Sequence, residues 1–298
     1  MPTTNSLTTT YSGEFAGQYI SAALLSGNTL SQGAITVKPN VKFKEVLKKV
    51  STDEIIKDAS CDFDPTSTLT LTERILQPEE MQVNLQLCKS DFRSDWEAIQ
   101  MGFSAHDNLP PNFANFLISH VAAKVAQKNE QNIWGGVTAN NGEFDGFATT
   151  LAADSDVVDV SGATLDKSNI IAELQKVVDA IPSAVYGKED LRIYIPTSAA
   201  KFYISAQAAL GYRDNYHVGQ TELNFQGIPL FVAQGLADNK MVAAESSNLY
   251  FGTGLLSDHN EVKVIDMADI DGSQNVRIVM RFTAGVQHGI GSDIVLYA

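Results

Sequence analysis

The chain reads as an α+β protein, on three observations. There is one long amphipathic helix near the middle, a pair of alternating strands ahead of it, and a second half built from short strands and helices. The helix spans Pro110 to Gly136, with proline where a first turn tolerates it and glycine where a helix exit favours it. Phe113, Leu117, Val121 and Val125 recur every four residues, Phe116 lies beside them, and Ile133 and Trp134 close the run, so all share one face. Asn115, Ser119, Lys124 and Lys128 fall largely outside it, and His120 sits near the stripe as a candidate structural histidine. About 24 residues at 1.5 Å each give roughly 36 Å, longer than most globular helices.

The segments before the helix are unusual. Residues 1–33 are rich in Thr, Ser, Gly and Asn, with Phe15, Tyr19, Ile20, Ala22, Ala23 and Leu24 as their main apolar content. That is too little to fold alone, so this arm is either disordered or ordered across another subunit; apolar Phe15 and Tyr19 favour the second. Ile35-Thr36-Val37 begins a strand. A lysine-dense run (Lys38, Lys42, Lys44, Lys48, Lys49) meets an acidic one (Asp53, Glu54, Asp58, Asp62, Asp64). Leu69 to Leu76 and Met81 to Cys88 then alternate with period two, broken at Gln77-Pro78-Glu79-Glu80. An antiparallel excursion with so thin an apolar face needs something to lie on, either its own chain's sheet or a neighbour. The opposite charge blocks suit a solvated face or head-to-tail contacts between copies.

Lys89 to Gly102 has helical spacing with Ser90 or Asp91 as cap, and Phe144 and Phe147 pin the turn that follows the long helix. From about residue 151 strands and helices alternate. Val157–Val160 is a strand, Asp166 or Ser168 caps a helix running to Ile181, and Leu191–Ile195 leads through Pro196 into another helix. Strands are expected at 223–233, 240–252, 261–266, 275–288 and 293–297.

With 298 residues, 44% hydrophobic and 19% charged, the chain can bury one large or two closely joined cores. No stretch of about 20 residues is apolar enough to span a bilayer, and the N-terminal residues carry no secretory pattern. A net charge of −14 excludes a protein that grips nucleic acid by its backbone; any DNA is met as contents, not as a text to read. Cys61 and Cys88 make no disulfide framework and fit a reducing compartment. The five histidines stand at no metal spacing. Gly252-Thr253-Gly254 lacks the third glycine of a dinucleotide loop, and no nucleophile elbow or phosphate loop is present. No catalytic residue, cofactor or metal is expected.

The co-linear order of these elements resembles the major capsid proteins of tailed bacteriophages, the Hong-Kong-97-type fold shared with encapsulin shells. It is carried by the arm, the charged excursion within about 40–88, the Pro110–Gly136 helix with its Asn132-Ile133-Trp134-Gly135-Gly136 exit, and the Phe144-Asp145-Gly146-Phe147 turn. Leu191–Ser198, Asn224–Leu230 and Asn275–Val286 continue it. The resemblance implies an N-terminal arm at 1–33, an extended β loop with flanking strands at 34–90, a peripheral domain at 91–150 with its spine helix over 111–134, and an axial α/β domain at 151–298 whose closing strands return to the peripheral domain. It further implies a non-enzymatic shell subunit that assembles with itself into hexamers and pentamers around double-stranded DNA, in a virion put together in the host cytoplasm. A portal is an expected partner; a scaffold, expected as a separate protein, and cement proteins are further candidates. No membrane is expected. Expected subunit-interface residues are Phe15, Tyr19, Lys44, Lys48, Lys49, Asp53, Glu54, Arg74 and Glu79. The rival readings are an encapsulin-type compartment and a soluble α/β enzyme.

Overall fold

The computed structural model describes residues 10–11, 27–52, 56, 58, 69–88, 111–210, 223–254 and 262–298. Helix α1 (Asn28–Ser31) is short, α2 (Pro111–Gly135) is the long one, and α3 (Phe147–Ala152), α4 (Ile170–Ala180), α5 (Thr197–Ala209) and α6 (Ala268–Asp271) follow. Strands β1 (Thr10–Tyr11), β2 (Thr36–Pro39), β3 (Glu45–Thr52), β4 (Leu69–Leu76) and β5 (Glu79–Cys88) precede α2. Behind α3 come β6 (Val158–Val160), β7 (Leu191–Ile195), β8 (Leu223–Phe225), β9 (Ile228–Val232) and β10 (Met241–Glu245). The set closes with β11 (Leu249–Thr253), β12 (Val262–Asp266), β13 (Asn275–His288) and β14 (Val295–Tyr297).

Two six-stranded sheets and a separate two-stranded ribbon, β3–β4, result. The first sheet is organised by β13, whose 14 residues serve two sets of neighbours. Its first half lies between β12 and β5, and its second half pairs with β11, which pairs in parallel with β2. Alternation along β13 sends Val276, Ile278, Met280, Phe282 and Ala284 into the core and leaves Arg277 and Arg281 exposed. Spine helix α2 lays Ile118, Val121, Val125, Ile133 and Trp134 into the same core, with Phe144, Phe147 and Leu151 of the following turn and α3. Both phenylalanines are buried, as the turn requires. His120 is exposed beside the stripe set by positions 118, 121 and 125. The side chains of Phe113, Phe116 and Leu117, and the helix expected over Lys89–Gly102, fall outside the described residues.

The second sheet runs β6-β14-β10-β7-β9-β8. Central strands β7 and β10 are buried on both faces. Tyr194, Val242 and Ala244 pack toward the spine helix, while Ile193, Ile195, Met241 and Ala243 pack against Leu174, Val177 and Tyr203 of α4 and α5. This explains why β7 and β10 are apolar on both faces apart from Arg192 and Glu245, since a strand covered on both sides has no polar face to alternate. The cap expected at Asp166 or Ser168 falls one residue later, at Asn169, which makes no side-chain cap hydrogen bond, because Asp166 closes the turn ahead of α4: its Oδ1 accepts the amides of Ser168 at 2.6 Å and Asn169 at 3.0 Å.

Two expectations are corrected. The single strand expected over 240–252 is two strands in different sheets, parted by a 3-10 turn at Ser246–Asn248 whose Asn248 side chain binds Ile290 at both its carbonyl and its amide. The excursion is not built from the two stretches after residue 68: β4 pairs with β3, while β5 joins the main sheet on β13. The apolar side chains of β5 that pack on the core, Met81, Val83 and Leu87, draw it there, and Pro78 supplies the break.

Candidate assembly surface

The β3–β4 ribbon is the most exposed regular element among the described residues. Its register sets Val46 opposite Ile75, Lys48 opposite Glu73, Val50 opposite Leu71 and Thr52 opposite Leu69. Strand alternation gathers these residues on one face, where Val46, Val50, Leu69, Leu71 and Ile75 are each between 44% and 62% exposed. The opposite face meets the chain's own body at the root of the ribbon. Leu76 is fully buried and Arg74 reaches back to Asp154. Eight residues per strand extend about 26 Å. A crevice of about 390 Å³ separates Leu47–Val50 from Lys188, Tyr250 and Ile290, so the ribbon stands off the body beyond its root.

At that root the returning chain crosses the main sheet. A Cβ at Gly285 would come within 2.9 Å of the Gln77 carbonyl and Pro78 Cα, and a Cβ at Gly252 would meet Leu76, so glycine is what the crossing permits. Gln287 Nε2 donates to the Ile75 carbonyl at 3.1 Å, and Lys38 pairs with Glu45 at 2.7 Å on the outgoing strand.

The arm enters the body at α1, on a buried polar cluster. Glu130 of the spine helix accepts the Thr29 amide at 3.2 Å and the Thr29 hydroxyl, while Trp134 Nε1 donates to that hydroxyl at 2.8 Å. Burial raises the Glu130 pKa above the ordinary carboxylate range, and the Thr29 donors pull it partway back. Asn28 donates to the Val232 carbonyl and Tyr194 to that of Ala34, so the arm root is tied to both cores.

A second apolar feature lies between the spine helix and β5. This groove of about 420 Å³ is lined by Met81, Val83, Leu85, Val121, Val125 and Phe282, with His120, Lys124 and Lys128 along its rim. Among the described residues no cluster of three His, Cys, Asp or Glu side chains could hold a metal, and no helix is long and apolar enough to cross a membrane.

The expected interface residues separate. Lys44 is exposed, its ammonium 5.3 Å from the Phe43 ring. Lys48 lies on the ribbon's outward face, but Lys49, one residue on, lies on the other and is half-buried. Arg74 is held inside the chain by Asp154, and Glu79 opens β5, accepting the Thr138 hydroxyl at 3.5 Å. Phe15, Tyr19, Asp53 and Glu54 lie outside the described residues. The apolar face itself was hidden in the lysine run, where Val46 and Val50 gain meaning only against Leu71 and Ile75.

No protein-family model matches the chain, and a search of curated protein sequences finds none similar to it. Solved structures do match. A chain from the capsid of the native GTA particle superposes with a TM-score of 0.64 over 93% of this chain and 89% of its own, at 12% identity. A chain of Mycobacterium phage Cain reaches 0.60 over 91% and 90%, at 14% identity. A chain from the satellite phage P4 procapsid reaches 0.59 over 94% and 97%, at 11%. The chain has the Hong-Kong-97-type capsid fold. Coverage above nine-tenths of this chain in each case means that the overall architecture is shared, carried here by a sequence with little in common with its neighbours.

Proposed function

We propose that this chain is a major capsid protein, a structural subunit that assembles into the hexamers and pentamers of an icosahedral or prolate shell around a phage double-stranded DNA genome. The observation that carries the reading is the outward apolar face of the β3–β4 ribbon on a capsid fold. Five large aliphatic side chains on a two-stranded element are costly in water, no described residue of the chain covers them, and a second molecule would. Identical copies joined head to tail close into rings, and each such contact gives every ribbon a partner. In a ring each subunit is expected to bury well beyond the roughly 1,600 Å² of an ordinary interface. A net charge of −14 suits a wall that must release its DNA. The chain acts by assembly, without catalysis, in the virion. A portal is its expected foreign partner, with scaffold and cement proteins as further candidates.

The test is a Val50→Thr, Leu69→Thr, Leu71→Thr variant, which keeps strand propensity and removes the apolar face. The expected result is an unchanged circular dichroism spectrum and no particles by negative-stain electron microscopy, where the parent chain forms closed shells. Normal particles from the triple variant would sink the reading.

A further inference from the structure

Asp154 joins three segments that are far apart in sequence. It follows α3, and its Oδ2 accepts from both Arg74 of the ribbon and Nε2 of His288 at the end of β13, the latter at 2.8 Å. Its Oδ1 takes the Asp156 amide at 3.1 Å. The carboxylate is nearly buried, His288 is buried, and Arg74 is about a quarter exposed. With Nε2 donating to Asp154, His288 Nδ1 is a bare acceptor, buried without a partner. A Cβ at Gly291 would overlap Asp154 Oδ2, so the carboxylate has its place only because residue 291 has no side chain. Such a site is directional. One oxygen must face a guanidinium and an imidazole at once, which fixes where Arg74, and with it β4, stands.

The ribbon needs such a fixture. Beyond Leu76 it has the crevice beneath it, not packed side chains, and a two-stranded element has no stiffness of its own about its root. We propose that Arg74, Asp154 and His288 form an angle-setting clamp, holding the β3–β4 ribbon at one inclination to the body so that its apolar face meets a sister subunit in a single pose. Arg74 is thus a positioning residue reaching inward, while the side chains beside it reach outward. The second half of this inference rests on the shell reading above; the first half does not.

The experiment has two arms. In the unassembled chain, with Cys61 and Cys88 replaced by serine, spin labels at Leu71→Cys and Lys201→Cys report the ribbon's inclination by pulsed electron resonance. Arg74→Ala should at least double the width of the distance distribution, and Arg74→Lys should narrow it partway back. Asp154→Asn serves as the second disruption. Lys38→Ala, which breaks the Lys38–Glu45 tether at the root, should leave the width closer to the parent. An unchanged width in both Arg74→Ala and Asp154→Asn overturns the clamp. In the assembly arm, Arg74→Ala should give particles of mixed diameter or open sheets; a broadened distribution together with uniform, parent-sized shells overturns the claim that the clamp sets the pose. If the parent chain forms no closed particles, the shell reading has failed, and the distance measurement still decides the clamp.

Discussion

Replacing Thr29 with valine keeps the shape of a buried side chain and removes one hydroxyl. That hydroxyl accepts from Trp134 Nε1 at 2.8 Å and donates to Glu130, so its loss takes one acceptor from the indole N–H, which still has Glu130, and removes one of the two Thr29 donors to a buried carboxylate. A neutral hydrogen bond contributes about 0.5–1.5 kcal/mol, and one to a charged group about 1.5–3. The two together predict a loss of about 2–4.5 kcal/mol. The pH dependence follows from Glu130. Burial raises its folded pKa above the unfolded value, so its contribution to stability is full below the unfolded value and is lost as pH rises through the folded one. The Thr29 hydroxyl bond favours the ionised form. Valine therefore raises the folded pKa further, and the gap between parent and variant should widen from pH 5 to pH 8. Urea unfolding followed by tryptophan fluorescence measures this, performed in the Val50→Thr, Leu69→Thr, Leu71→Thr background so that association does not add to stability. A variant within 1 kcal/mol of its parent at pH 8, or a gap that shrinks with rising pH, would refute the argument.

Two further outcomes are expected. Gly235→Ala pushes a methyl group into the Glu130 carbonyl, a backbone atom at the end of the spine helix that cannot yield, and should cost about 3 kcal/mol in the same unfolding assay. Reversing Lys44, Lys48 and Lys49 to glutamate should weaken assembly while leaving the subunit folded. Lys48→Glu alone should give most of the effect, because Lys48 shares the apolar face and Lys49 does not. Sedimentation at several salt concentrations reads this, since screening should shrink the difference; unchanged assembly in the triple variant rejects an electrostatic contribution.

Much of the architecture was legible because it rests on local rules. The spine helix announces itself by Pro111, by the spacing of Val121 and Val125, and by its glycine exit. The long β13 shows strict alternation, and Pro196 opens α5. Local patterns failed where a strand's partner decides its role. Residues 240–252 look like one apolar strand, and only the crossing between sheets splits them at Ser246–Asn248. Leu69–Leu76 and Met81–Cys88 look alike in sequence, yet one stands in the ribbon and the other in the main sheet. The surroundings of the expected interface residues were decided in the same way. Lys48 and Lys49 are neighbours in the chain but lie on opposite faces of a strand, and Arg74, expected at a subunit interface, binds an aspartate 80 residues away.

Composition, periodicity and the order of elements sufficed to determine an acidic α+β chain with a long central helix and charged strands ahead of it, in an order that resembles the Hong-Kong-97-type fold, because each depends on residues close together along the chain. Only the tertiary structure decided which face of the ribbon is bare, which carboxylate holds its root, and which glutamate receives the arm. Those depend on strand register and on meetings between segments about 100 residues or more apart, Glu130 with Thr29 and Asp154 with His288, and a linear pattern carries no trace of a partner that only folding brings near.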